Sequence, residues 1–318
     1  MNYRSAIELV RQLDTEGWLD VCSDLKKVLK PELQGQDGLV REICSLGELY
    51  RQRQLAGEVD AFVDAVGDGD SIDEMVNDLA SRIERINEIS KAPARYDFIS
   101  MLSQVDLSKR PLSAAIKTFC NDSCVGEKVR YRAVSLVNEV VGQSLSQGSK
   151  SQAGLAGEVI HEAIVKAAGG IKGVDYRLQY KSNEGSDTDC VFPAVEDKND
   201  IDVDIFVAVQ FSTNDRARMV TSELKVGGKK MVWIGNGLSA SSKKISAIGG
   251  QILQDLRHKN IRLICYGPGL EDELGDLGDK ARKNIKNSID SRERAKALRE
   301  IAITYTDYFQ FLKKRFKN

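Results

Sequence analysis

The chain has 318 residues, enough for one large hydrophobic core or two smaller ones. With 42% hydrophobic and 29% charged residues it has the composition of an ordinary globular protein, and a net charge of −1 neither advertises nor forbids contact with a polyanion. Its apolar runs, such as Ile205 to Val209 and Met231 to Ile234, are far too short to span a bilayer. The charged opening MNYRSAIELVRQLDTEG lacks the apolar segment of a secretory signal, so a cytoplasmic location without a membrane partner is expected.

Residues 1 to 147 predict an all-helical region. Apolar positions three and four apart mark helices over Ser5 to Leu13, Trp18 to Leu29, Leu39 to Leu55, Ser71 to Ile89 and Val129 to Leu145. Pro31, the GDGD at 67–70, Pro93 and Pro111 punctuate them, and the SQGSKSQ stretch at 146–152 reads as a polar linker. A second domain is expected over 148–318. Its helix from Ala153 closes at Gly169-Gly170, and strands follow at Val174 to Tyr180 and Asp189 to Phe192.

The next strand is the most regular in the chain. Val203, Ile205, Val207, Val209 and Phe211 alternate with Asp204, Phe206, Ala208 and Gln210, the two-residue period of a β-strand. A helix is predicted from Asp215 to Val226, a buried strand at Met231 to Ile234, a helix at Ser241 to His258, a strand at Ile261 to Tyr266, and basic helices to the end. The fold class that follows is α+β, a mixed central sheet flanked by helices with an all-helical N-terminal region.

Six scattered cysteines predict free thiols. Only His161 and His258 are available as imidazoles, which nearly excludes a histidine-rich zinc site and disfavours histidine base catalysis. No phosphate-binding glycine loop is present, so no nucleotide cofactor is expected. Carboxylates and lysines must carry any chemistry. Phosphodiester hydrolysis by such groups needs a hard divalent cation, which takes oxygen ligands, lowers the pKa of a bound water and neutralises developing charge.

The acids disposed for this are Glu158 on the helix, Asp189 on the second strand and Glu223. A helix starting near Asp215 would put Arg216, Met219, Val220 and Glu223 on one side. With a turn near Asp200, Asp189 is expected opposite Gln210. Asn214-Asp215-Arg216 has the donors and acceptors to read a G·C pair, Arg towards guanine and Asp towards cytosine, although a helix cap and a surface ion pair would use the same residues.

On these residues the chain resembles the PD-(D/E)XK nuclease superfamily. Within it, the chain is similar to the branch of type II restriction endonucleases that read CC:GG-containing sites, in which the second acid has moved from the third strand to the following helix. The resemblance covers about 153 to 270. It implies Glu158, Asp189 and Glu223 as Mg²⁺ ligands, Gln210 or Lys225 as the group that positions water, and Asn214, Asp215 and Arg216 as base readers. It implies double-stranded DNA as substrate, a short palindromic site, and a homodimer or tetramer of such chains.

Ala208 and Gln210 stand where that pattern carries Ser or Thr and the catalytic lysine. The site would then be lysine-free, would borrow Lys225, or would be inactivated. A competing assignment uses Asp204 with Glu223-Leu224-Lys225 on a strand instead of a helix. Two other classes stay open: a catalytically inactive DNA-binding protein on a nuclease scaffold, and a helical interaction protein whose α/β half is structural. The basic tail, KARKNIK to KKRFKN, is a solvated face or a phosphate-contacting one.

Overall fold

The computed structural model describes residues 3–67, 72–182, 187–210, 229–234, 250–283 and 285–317. By its internal contacts the chain divides into two compact units, one of Met1–Gln54 with Arg85–Gln152, the other of Leu55–Glu84 with Ala153–Asn318.

The first unit is helical. It contains α1 (Tyr3–Arg11), α2 (Trp18–Leu33), α3 (Leu39–Leu46), the start of α4 (Glu48–Ala65), the end of α5 (Ile72–Tyr96), α6 (Phe98–Met101), α7 (Pro111–Asn121) and the first part of α8 (Glu127–Ala167). Leu25, Leu29 and Leu33 on α2 meet Leu39 and Ile43 on α3, Leu112 and Ile116 on α7, and Leu136, Val137 and Val140 on α8 in one core. The α7 start is held by Glu32, whose carboxylate accepts from the backbone N–H of Leu112 (3.1 Å) and Ser113 (2.8 Å) and from the Ser113 hydroxyl (2.6 Å).

Three sequence expectations are corrected in these helices. The segment 39–55 is not one helix: α3 ends at Leu46, and Gly47 sits where an added Cβ would lie 3.2 Å from the Ser90 carbonyl oxygen, so a side chain there would push the α5 backbone away. Pro31 and Pro93 do not bound α2 and α5 but lie in their last turns, where a missing N–H removes one bond near a frayed end. The polar stretch at 146–152 does not interrupt the helix: it lies inside the 41-residue α8, just before the unit boundary at Gln152. Ser, Gln and Lys are tolerated in a helix, Gly148 costs only about 1 kcal/mol, and no proline intervenes.

The second unit carries a six-stranded mixed sheet in chain order: β1 (Arg177–Lys181), β2 (Asp187–Phe192), β3 (Ile205–Gln210), β4 (Lys229–Ile234), β5 (Arg262–Cys265) and β6 (Ala302–Thr304). The β1–β2 and β2–β3 pairs are antiparallel, and β3 to β6 run parallel. The mixed sheet expected from the alternating pattern is therefore present. β6 was not foreseen, being three residues long between two basic helices.

Helices lie on both faces. Ala208, Leu263, Cys265 and Ala302 pack with Ile252, Leu253 and Leu256 of α9 (Gly250–His258), Leu277 of α10 (Gly267–Lys283), and Ala297, Leu298 and Ile301 of α11 (Ile285–Ile301). On the other face Phe192 meets His161 of α8 and Phe316 of α12 (Tyr305–Phe316), with ring centroids 6.4 and 6.0 Å apart. Thr304 ends β6 and caps α12 reciprocally with Asp307. All six cysteines are unpaired thiols. Among the described residues, no helix is long and apolar enough to cross a membrane.

Asp73, at the start of α5, ties the ends of β5 and β6 together. Its carboxylate accepts from the Gly267 N–H (2.7 Å), the Thr306 N–H (3.1 Å) and the Thr306 hydroxyl (2.5 Å). Truncation would strand three donors, so Asp73→Ala is expected to lower the unfolding free energy by about 2–3 kcal/mol. Asp64→Ala, at an exposed position, is expected to change it by less than about 0.5 kcal/mol. Urea denaturation midpoints of the two variants check this.

Candidate functional site at the start of β2

Glu158 sits in the part of α8 that belongs to the sheet-bearing unit, three residues before His161, whose ring is fully buried. Its own side chain is half-buried, and its Oε2 accepts from the Gln179 amide at 2.6 Å. Gln179 lies in the middle of β1 with φ of 54°, a left-handed conformation that a residue with a Cβ adopts at a cost of about 1–2 kcal/mol. That backbone position was not singled out from sequence, and nothing in residue order signals it.

Asp189 comes from the adjacent strand. The β2–β3 ladder pairs Cys190 with Val207 and Phe192 with Ile205, so one further step puts Asp189 opposite Ala208. The expectation that it faces Gln210 is thus two residues out. The connection turns at Lys198, left-handed at φ 65° and two residues before Asp200, which opens a short 3₁₀ turn. The Asp189 carboxylate lies beyond the last ladder pair and accepts from the Val209 N–H at 2.6 Å, fixing the acid to β3 one residue before Gln210.

These two acids feel each other. Burial pushes the Glu158 carboxyl above its ordinary range, the Asp189 charge pushes it further, and the bond from Gln179 pulls it partly back. One turn along α8, Glu162 is engaged elsewhere, accepting from the Tyr176 hydroxyl and the Lys172 ammonium, both at 3.2 Å. His161 is buried between Phe192 and Tyr308, with its Nε2 2.9 Å from the Tyr308 hydroxyl. Desolvation lowers its pKa to about 3, so the imidazole is neutral at physiological pH.

Asp204 stands apart from this group. It precedes β3, and the six residues to Gln210 span about 20 Å of extended chain. Its carboxylate pairs with Arg315 of α12 at 2.7 Å. Gln210 ends β3 beside Ile234 of the parallel β4. Glu223, Lys225, Asn214, Asp215 and Arg216 lie outside the described residues. The structure therefore bonds Glu158 to Gln179, puts the Glu158 carboxyl within electrostatic influence of Asp189, and leaves Asp204 just before the opposite end of β3.

Carboxylate and amide oxygens are donors suited to a hard cation. Among the described residues, no group of three or more His, Cys, Asp or Glu is disposed to hold a metal ion. No protein-family model matches the chain, and no curated protein or solved structure does.

A carboxyl whose folded pKa is raised is favoured in its neutral form, so its stabilising share is complete below the unfolded value of 4.5 and is lost as pH rises through the raised value. Glu158→Gln removes the charged form. Without divalent cation, this variant is expected to melt above the parent at about pH 8, with the difference shrinking to nothing by about pH 4. Thermal melts across that range check the sign.

Proposed function

We propose that the chain is a Mg²⁺-dependent endonuclease for double-stranded DNA with a restriction-endonuclease-like core in its sheet-bearing unit. The observation that carries this reading is the bond that fixes the Asp189 carboxylate to the β3 backbone one residue before Gln210, with the Glu158 carboxyl within its electrostatic influence. The element order gives further support. A helix bearing one acid is followed by three antiparallel strands, the second bearing another acid, and then by a strand parallel to the third.

In this reading Glu158 and Asp189 hold the cation, with Glu223 from the segment after β3 as a further ligand. The cation, when bound, polarises the phosphoryl oxygen and lowers the pKa of a coordinated water. Gln179 holds one Glu158 oxygen and so limits rotation of that carboxylate. The Val209 N–H holds one Asp189 oxygen in the same way. Gln210 or Lys225 orients the attacking water, and the neutral His161 takes no proton. Asn214, Asp215 and Arg216 read bases, and a palindromic target calls for a two-fold pair of chains.

Gln210 at the position of the expected lysine favours a second reading, a DNA-binding protein on a nuclease scaffold that does not cleave. Digestion of plasmid DNA with Mg²⁺ separates the two. The proposal expects fragments of discrete size, and it expects Asp189→Asn and Glu158→Gln each to slow cleavage at least ~100-fold. Asp204→Asn is expected to stay within about threefold of the parent, because its partner is Arg315. Loss of cleavage on changing Asp204 but not Asp189 would instead favour the Asp204 assignment. Binding without fragments would favour the inactive scaffold.

A further inference from the structure

On the outer side of α11, Arg292, Lys296 and Arg299 are exposed at a spacing of four and three residues. At 100° per residue they share about 60° of arc, and at 1.5 Å per residue they spread over about 10 Å. None of the three makes an ion pair or hydrogen bond among the described residues. Three acids on or against α11 are committed or lie to one flank. Glu300 holds Arg257 (2.9 Å to Nη2), Glu273 holds Arg294 (3.1 Å), and exposed Glu293 lies beside the row rather than in it.

Like charges at i and i+4 weaken a helix, so the row runs against the local stability of α11. The helix dipole accounts for Arg299 in the last turn but not for Arg292 and Lys296. The opposite side of the helix, Ala295, Ala297, Leu298 and Ile301, is buried in the core. An interfacial membrane helix needs that apolar side for insertion. A phosphate row does not. One DNA strand carries a phosphate per about 3.4 Å of axis, so the row of about 10 Å runs along about three phosphate steps.

We propose that Arg292, Lys296 and Arg299 form a contact tract for the phosphate backbone of duplex DNA. This rests on the reading that the chain acts on such a duplex, and it adds a binding element that carries no base information. The tract supplies affinity and register, while hydrolysis stays with the acids of α8 and β2.

The test is binding of a fluorescent duplex in EDTA, followed by anisotropy over a range of KCl. The parent is compared with the triple variant R292Q/K296Q/R299Q and with a control of equal charge loss at exposed sites elsewhere, R53Q/K109Q/K128Q. Circular dichroism confirms that each variant is folded. The tract variant is expected to bind at least tenfold more weakly in 0.1 M KCl, with the slope of log K against log[salt] flattened by about 2.7 per bound chain. The control is expected to keep the parental slope.

Parental binding with a steep slope that the tract variant leaves unchanged would overturn the tract and spare the DNA reading. Absence of any binding by the parent would overturn both. Equal flattening in the control would reduce the tract to general charge, also overturning it. Vesicles of phosphatidylserine and phosphatidylcholine form the last arm. Binding there that depends on the tract, with duplex binding that does not, would assign the row to a membrane surface instead.

Discussion

Two carboxylates that repel each other in a half-buried place need a reason to be there. Glu158 and Asp189 come from a helix and a strand 31 residues apart in sequence; Glu158 accepts a hydrogen bond from the Gln179 amide and Asp189 accepts one from the Val209 N–H. Burial of Glu158 raises its pKa first, and the Asp189 charge, poorly screened where water is partly removed, raises it further. In the proposed reading a divalent cation would turn the same arrangement from a liability into a binding site. The left-handed Gln179 and the shift of Asp189 beyond the β2–β3 ladder both contribute to this corner.

The remainder of the sheet-bearing unit builds the corner and keeps it away from other chemistry. Phe192 and His161 close one face, and desolvation takes the only nearby imidazole out of proton transfer. Asp73 ties the ends of β5 and β6 to α5, fixing the far side of the parallel sheet. On α11 the division is by face, with apolar residues inward and, outward, cations that have no partner among the described residues. A site for hydrolysis and a separate tract for affinity would let one surface set binding strength while a few oxygens set the rate.

Much of the sheet was legible in residue order because burial imposes a period. The alternation around Val207 and Val209 marks β3, and the apolar runs at 231–234 and 261–266 mark β4 and β5. β6 escaped because three residues are too few to show a period, and α7 because Pro111 reads as a stop when it is in fact the first helical residue. Polarity misled at 146–152, since a helix there needs no apolar face of its own. At the site, residue types named Glu158 and Asp189. Register did not follow, because the β2–β3 pairing is centred between Lys198 and Asn199, one residue earlier than a turn at Asp200 implies, and that moves the partner of Asp189 by two. Gln179 was invisible: its role comes from a backbone angle and from a neighbour 21 positions away.

The central claim is that Glu158 and Asp189 act together on one divalent ion. Mn²⁺, whose free and bound forms differ in their electron paramagnetic resonance signal, reports this directly on the chain without DNA. Titration of the parent is expected to show saturable binding, with Glu158→Gln and Asp189→Asn each weakening it about tenfold or more. Equal Mn²⁺ affinity in all three proteins, or no binding by the parent up to about 10 mM, would contradict the account.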